Sequence, residues 1–278
     1  MSVRMQRLAA AVGTYLAAIA VLVFFGIPLV WMVSTAFKTQ AEWFSTPPSF
    51  LPSTPTFDNF IALGSSDFPL FFLNSLVVSA LTTVLSLAVG VYAAYAISTF
   101  RFVGKRVVVV LILFTQLVPA AVIVLPLYQL AAQLGLLDSL WGLALAYTSF
   151  TAPVAVWLLT GFFAQLPMEL SEAAMLDGCT RLQAFRKVIL PLAVPGLVST
   201  AMYSFFNAWQ ELLLALTFIS TKSRSTFTVG ILGFIGEHTT NWGQLMAAAV
   251  VLTLPVFLIF WKLQTYFVSG LTAGALKG

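Results

Sequence analysis

Charge is scarce in this chain: of 278 residues only 13 are Lys or Arg and 9 are Asp or Glu, with one histidine and one cysteine. A lone Cys179 excludes an intramolecular disulfide and any cysteine-rich metal site, and reads as an inert thiol. A lone His238, beside Glu237 in a connecting segment, lacks the further ligands of a metal centre, so a solvated side chain is the plainer reading. No metal site is expected. No G-x-x-x-x-G-K-[ST] run occurs, which rules out ATP hydrolysis by a phosphate-cradling loop within this chain. Serines are plentiful, but the apolar runs offer no histidine or lysine to activate one as a nucleophile, so an intramembrane hydrolase is disfavoured and no catalytic residue is assigned.

What fills the chain is apolar. Sixty per cent of the residues are hydrophobic and the mean hydropathy is +1.00, a balance no soluble domain of this length sustains. A membrane-crossing helix needs roughly 20 mostly apolar residues. Uncharged runs of that length extend from Leu8 to Phe37, Phe68 to Phe100, Val107 to Leu137, Ser139 to Met168, Val188 to Gln210 and Thr239 to Trp261. They are solid rather than alternating, which disfavours a transmembrane barrel and predicts an all-α bundle of six transmembrane helices. Arg4 and Arg7 before the first run also fit a secretory signal. That run is far longer than the roughly 7–15 apolar residues of a signal, and Pro28-Leu29-Val30-Trp31 stays apolar where cleavage would fall, so it is read as a permanent span.

Cytoplasmic loops retain Lys and Arg. With the N-terminus inside, Arg4, Arg7, Arg101, Lys105, Arg106, Arg181, Arg186, Lys187, Lys262 and Lys277 lie at the inner face, leaving Lys38, Lys222 and Arg224 outside. The expectation is a multi-pass protein of the cytoplasmic (inner) membrane with both termini in the cytoplasm. The net charge of +4 is then membrane anchoring and calls for no nucleic-acid partner.

Outer loops are expected at 38–69, stiffened by Pro47, Pro48, Pro52 and Pro55, and at 222–242, where Gly230, Gly233 and Gly236 suggest a flexible finger. A short turn at Gly135 to Asp138 joins spans three and four. Ser86, Gly90, Ala94 and Ser98 place small side chains on one face of the second span. That stripe fits close approach of another helix, and equally the general abundance of small residues in membrane helices. Prolines at 28, 119, 126, 153, 195 and 255 each free a backbone carbonyl and favour bends. Glu211 alone breaks the apolar pattern of a span. Counting about 1.5 Å per residue from Pro191 sets it ~30 Å along the fifth helix, with Asn207 four residues before it on the same face. A polar patch on a translocation path and a structural hydrogen bond to a neighbouring helix both fit.

The most polar, best punctuated stretch lies between spans four and five. Pro167 suits a first helical turn, Glu169 and Glu172 complement the helix dipole, and Gly178 supplies a left-handed stop. Thr180 and Gln183 form a T-x-x-Q capping box that starts a second helix through Arg186 and Lys187. Leu170, Ala173, Ala174 and Asp177 share one face of the first helix; Leu182, Phe185 and Ile189 share one face of the second. A helical hairpin with exposed apolar faces suits insertion into a groove of a partner. An amphipathic hairpin lying on lipid is the weaker reading, because anionic headgroups repel its acidic first helix.

Glu172-Ala173-Ala174, Gly178 and Leu190-Pro191 resemble the EAA loop, EAA-x3-G-x9-I-x-LP, of permease subunits of bacterial ABC importers, with Val188 in place of the usual isoleucine. Asn74-Ser75-Leu76, Thr115-Gln116, Ile123 to Tyr128, Asn241-Trp242-Gly243 and the tail from Phe267 to Gly278 extend the likeness, over essentially the whole chain, to the maltose-type (MalG-like) subunits of carbohydrate importers. Trp209-Gln210-Glu211 departs from that family's Trp-Asn-Glu. The resemblance implies a type I importer fold in a single permease domain, residues 1–278, with core spans over 68–270 and a cytoplasmic coupling loop over 164–189. It implies a second, homologous permease subunit, two ATP-binding subunits that hold ATP and Mg, and an extracytoplasmic solute-binding protein; this chain itself needs no cofactor. Coupling to the ATPase falls to Glu172, Ala173, Ala174, Gly178, Leu182, Phe185 and Pro191. The substrate pathway falls to Asn74, Gln116, Tyr128, Tyr203, Asn207, Trp209, Gln210 and Glu211. Amide, hydroxyl and aromatic groups, with no Lys or Arg deep in a span, favour a neutral sugar over a glycerol phosphate or glycerophosphodiester. A stand-alone secondary transporter would show buried ionisable residues or inverted repeats, and one glutamate without an evident repeat supports it poorly.

Overall fold

The computed structural model describes the backbone of residues 3–236 and 239–275; His238, Glu237 and Lys277 of the sequence reading lie outside the described residues. Two compact units emerge, one of residues 1–68 with 231–254 and one of 69–230 with 255–278.

In the first unit, α1 (Val3–Ala36) has a long apolar stretch, Ala11–Ala36, that the rest of the chain leaves exposed except at its end, where residues 34–36 are buried. Asn59, on the short α2 (Asp58–Gly64), donates from Nδ2 to the carbonyls of Ala36 and Lys38, both at 2.9 Å, and so fixes where α1 ends. The proline-rich connection is ordered, as its composition predicts. Glu42 takes hydrogen bonds from the hydroxyls and backbone N–H groups of Ser53 and Thr54. These donors, the two hydroxyls first, pull its carboxyl from 4.5 to about 2. Lys38, which the sequence offers as a loop cation, is buried instead at 2% exposure. The stretch read as a flexible finger is also structured where described: a turn at Lys222–Arg224, α12 (Phe227–Leu232) and an antiparallel bridge between Ile235 and Thr240, with Phe227 buried.

The second unit holds α3 (Phe68–Thr99), α4 (Lys105–Phe114), α5 (Ala120–Gln133), α6 (Leu140–Phe163), α7 (Glu169–Leu176), α8 (Arg181–Ala184), α9 (Leu190–Leu192), α10 (Val194–Trp209) and α11 (Leu213–Phe218); α13 (Trp242–Ala275) closes the chain. Among the described residues, four helices are long and apolar enough to cross a membrane: α1, α3, α6 and α13. The runs read as continuous spans three and five are each broken. Lys105–Leu117 meets Ala120–Gln133 at 100°, and Arg181–Leu192 meets Val194–Trp209 at 73°, so six crossings result only if each bent pair counts as one. Proline explains both corners. Pro119 and Pro195 stand at helix starts, where the missing N–H costs nothing; Val118, before Pro119, has an extended backbone, ψ 120°, and Pro195 cannot donate to the carbonyl four residues earlier, which stops the preceding helix. Pro126, Pro153 and Pro255 sit inside their helices instead.

The small-residue stripe of α3 serves close packing against α6. Ser86 Oγ lies 2.6 Å from Thr151 Oγ1, Ala94 is fully buried, and a Cβ on Gly90 would meet the Cβ of Ala155 at 3.2 Å. At the turn before α6, Asp138 does more than connect. Its carboxylate accepts from the N–H of Ser220 and Thr221, from the Thr221 hydroxyl at 2.6 Å and from Arg224 Nη1 at 2.9 Å. The Thr221 hydroxyl is the main reason its carboxyl drops from 3.8 to about 2, with Arg224 adding to it.

Candidate coupling hairpin and membrane cavity

The hairpin forms as its local signals require. Asp177 caps α7, Gly178 adopts φ +91°, and the N–H groups of Gly178 and Cys179 bond the carbonyls of Met175 and Ala174 at 3.1 and 3.0 Å. That pattern needs a left-handed residue, which glycine supplies without a Cβ penalty. The capping box is complete: Gln183 N donates to Thr180 Oγ1 at 3.3 Å and Thr180 N donates to Gln183 Oε1 at 2.8 Å.

Its faces differ from the sequence reading. Leu182 is half exposed, and Glu172, Ala173 and Pro191 are exposed, but Ala174 is 8% exposed and Phe185 only 1%. A π-helical turn over Phe185–Ile189 inserts extra backbone into the second helix and shifts the face that follows. Phe185 packs 4.2 Å from the ring of Tyr95 and 6.2 Å from that of Phe163, within a cluster that includes Val91, Ala94, Leu159 and Ile189. It therefore roots the hairpin on α3 and α6 rather than presenting itself to a partner. The apolar groups that do face outward are Met168, Leu170, Leu182 and Leu176, the last 89% exposed. The sequence reading missed Leu176 as a contact, although a leucine one residue before the C-cap is the signal that could have found it. A cavity of about 280 Å³ lies at the hairpin's base, lined by Tyr95, Ser98, Glu172, Met175 and Arg181, with Arg181 over the Phe100 ring at 5.8 Å.

Of the eight pathway candidates, Gln116, Tyr203, Asn207 and Glu211 meet in one cavity of about 250 Å³, together with Tyr147, Thr151 and Phe150. Gln116 lies in the turn that follows α4, and Glu211 in the irregular stretch between α10 and α11. Both broken stretches thus open onto the same space, where non-helical backbone is tolerated in a membrane protein. Glu211 is not on a long helix, because α10 ends at Trp209, so the expected pairing with Asn207 along one helical face does not form. Its carboxylate caps α11 instead, accepting from Leu214 N at 3.0 and 3.1 Å and from Ala215 N at 3.3 Å. Its carbonyl accepts from Thr228 Oγ1 at 2.8 Å and from Tyr147 Oη at 3.4 Å. Asn207 donates to the Tyr203 carbonyl at 2.9 Å, leaving its amide oxygen without a partner among the described residues.

The other four candidates stand elsewhere. Asn74 donates to the carbonyls of Ser223 and Ser225, both at 2.9 Å. Trp209 is 5% exposed, stacked on Phe205 at 5.5 Å, 4.6 Å from Phe227 and edge-on to Phe72. Tyr128 meets Phe218 edge-on at 6.2 Å, and Gln210 ends α10. Tyr147 and Thr151 were missed because nothing in a local window distinguishes them from the other hydroxyls of α6.

Residues 86–272 match the model of the binding-protein-dependent transport system inner membrane component family. The chain belongs to that family. This permease is 39% identical over 262 residues to the diacetylchitobiose uptake system permease protein DasC of Streptomyces coelicolor, covering 93% of this chain and 95% of that one. It is 34% identical to the trehalose/maltose transport system permease protein MalG of Thermococcus litoralis, over 99% of this chain and 98% of that one. Among solved structures, a chain of a bacterial ABC transporter involved in the import of the acidic polysaccharide alginate superposes with a TM-score of 0.80 at 24% identity, covering 96% and 99%. The permease thus has the type I ABC importer fold, and the maltose-type likeness read from its motifs holds.

Proposed function

We propose that this permease is one subunit of an ATP-driven importer that moves a neutral sugar, a disaccharide or short oligosaccharide, handed over by a solute-binding protein. The observation that carries the sugar reading is the lining of the 250 Å³ cavity: amides of Gln116 and Asn207, hydroxyls of Tyr147, Thr151 and Tyr203, and no Lys or Arg. Such groups match alternating donors and acceptors on a sugar ring, with aromatic rings beside them. Glu211 adds a negative charge to the rim, which opposes a phosphate or uronate. The family includes permeases for neutral glycosides, and a structural neighbour belongs to an importer of an acidic polysaccharide, so the lining discriminates where family membership does not.

Coupling is assigned to the hairpin. With the basic residues inside, both termini and the hairpin face the cytoplasm. There Met168, Leu170, Leu176 and Leu182 enter an apolar cleft of one ATP-binding subunit, and Glu172 meets a basic residue beside it. ATP and Mg stay with the two ATP-binding subunits, and this chain does no catalysis. Because Phe185 is buried against α3 and α6, closure of the ATPase pair pulls those helices as bodies and switches the access of the cavity. A second, homologous permease completes the pathway. Uptake by the reconstituted complex decides the substrate: labelled di- and trisaccharides enter, whereas glycerophosphodiesters and uronate oligomers do not. Transport confined to the phosphorylated compounds would overturn the sugar reading.

A further inference from the structure

At the end of α1, Lys38 is buried at 2% exposure, yet no carboxylate among the described residues pairs with it. Its ammonium donates to the Ser49 carbonyl and lies 4.3 Å above the ring of Trp31. An ammonium has three donors, and a buried cation without an anionic partner is costly. Beside the ammonium is a cavity of about 280 Å³ lined by Trp31, Thr35, Lys38, Trp43, Phe44 and Trp242. Thr35 is 6% exposed and its hydroxyl has no hydrogen-bond partner. Lys38 and Thr35, each more than nine-tenths buried, thus line one small space.

We propose that this cavity holds the phosphate of an anionic membrane phospholipid. Trp31 lies near the end of one apolar span and Trp242 begins another, each more than a third exposed, and Phe44 is 71% exposed. Tryptophans at span ends sit at headgroup depth, so the mouth opens where lipid phosphates are. A phosphate there accepts a charge-assisted bond from Lys38 and one from Thr35, while the acyl chains run down the exposed side of α1. A soluble anion would satisfy Lys38 equally but would have no use for the indole rim.

The test uses the whole purified transporter, delipidated in detergent, with thermal unfolding and native mass spectrometry as readouts. Phosphatidylglycerol raises the unfolding midpoint and is retained as a bound adduct; dioleoylglycerol, which lacks the phosphate, does neither. Lys38→Arg keeps the adduct, and Lys38→Met or Thr35→Val weakens lipid affinity by about tenfold or more. Should Lys38→Met fail to assemble, the wild-type comparison of the two lipids and the Thr35→Val variant still decide. Equal stabilisation by dioleoylglycerol, or by inorganic phosphate alone, would overturn the proposal, as would an unchanged phosphatidylglycerol adduct in both weakened variants.

Discussion

Two carboxylates carry structural duties that their surroundings make measurable. Asp138 has its carboxyl lowered from 3.8 to about 2 by the Thr221 hydroxyl and other donors of that loop. Its folded value lies below its unfolded value, so its contribution is fully present above 3.8 and fades as the pH falls toward 2. The difference in unfolding midpoint between the wild type and Asp138→Asn is therefore constant near neutrality and shrinks under acid; a difference that stays constant from pH ~6 to ~3 would show that the charge is idle. Glu211 closes the start of α11. Glu211→Ala leaves the N–H groups of Leu214 and Ala215 open and costs about 1 kcal/mol, read by denaturation, while Glu211→Gln recovers much of it through its remaining carbonyl. Neither role was legible from the sequence. Asp138 lies more than 80 positions from its partners, and Glu211 looked helical because it directly follows the long uncharged run from Val188 to Gln210.

At the scale of elements, the hairpin shows what local sequence can and cannot specify. Gly178, Thr180 and Gln183 announce the turn and the cap through bonds spanning three to five residues, and the structure reproduces each one. The burial of Phe185 was hidden because the rings that cover it, Tyr95 on α3 and Phe163 on α6, lie far from it in sequence. Two variants test the tip. Gly178→Val forces a β-branched residue to positive φ, a local strain of about 1–3 kcal/mol. Leu176→Asp changes only an exposed side chain. Both are expected to abolish coupled uptake and substrate-stimulated ATPase activity with membrane levels near wild type, measured on vesicles and by immunoblot. Normal uptake in both would remove the hairpin from the coupling mechanism.

Across the whole molecule, hydropathy located every apolar run but not its direction, because lipid compatibility is the same on either side of a corner. The breaks at Pro119 and near Pro195 follow from backbone sterics that a hydropathy window averages away. The break at Pro119 lies between Gln116 and Ala120, which share one cavity with Asn207 and Glu211, whereas Trp209, equally conspicuous in the sequence, is consumed by Phe72, Phe205 and Phe227. Selectivity is the property that belongs to this scale. Asn207→Lys is expected to lower uptake of neutral oligosaccharides by about tenfold or more and to shift competition toward acidic ones; unchanged preference in a competition assay would place the selecting groups on other subunits.

The completed capping box of Thr180 and Gln183 has a consequence for assembly. Ordering a loop residue costs roughly 1–2 kcal/mol of backbone entropy, and here that ordering is complete before any neighbour arrives. Docking is then the meeting of two finished shapes. The joint is expected to form quickly, to break without unravelling, and to be reused intact on every turnover.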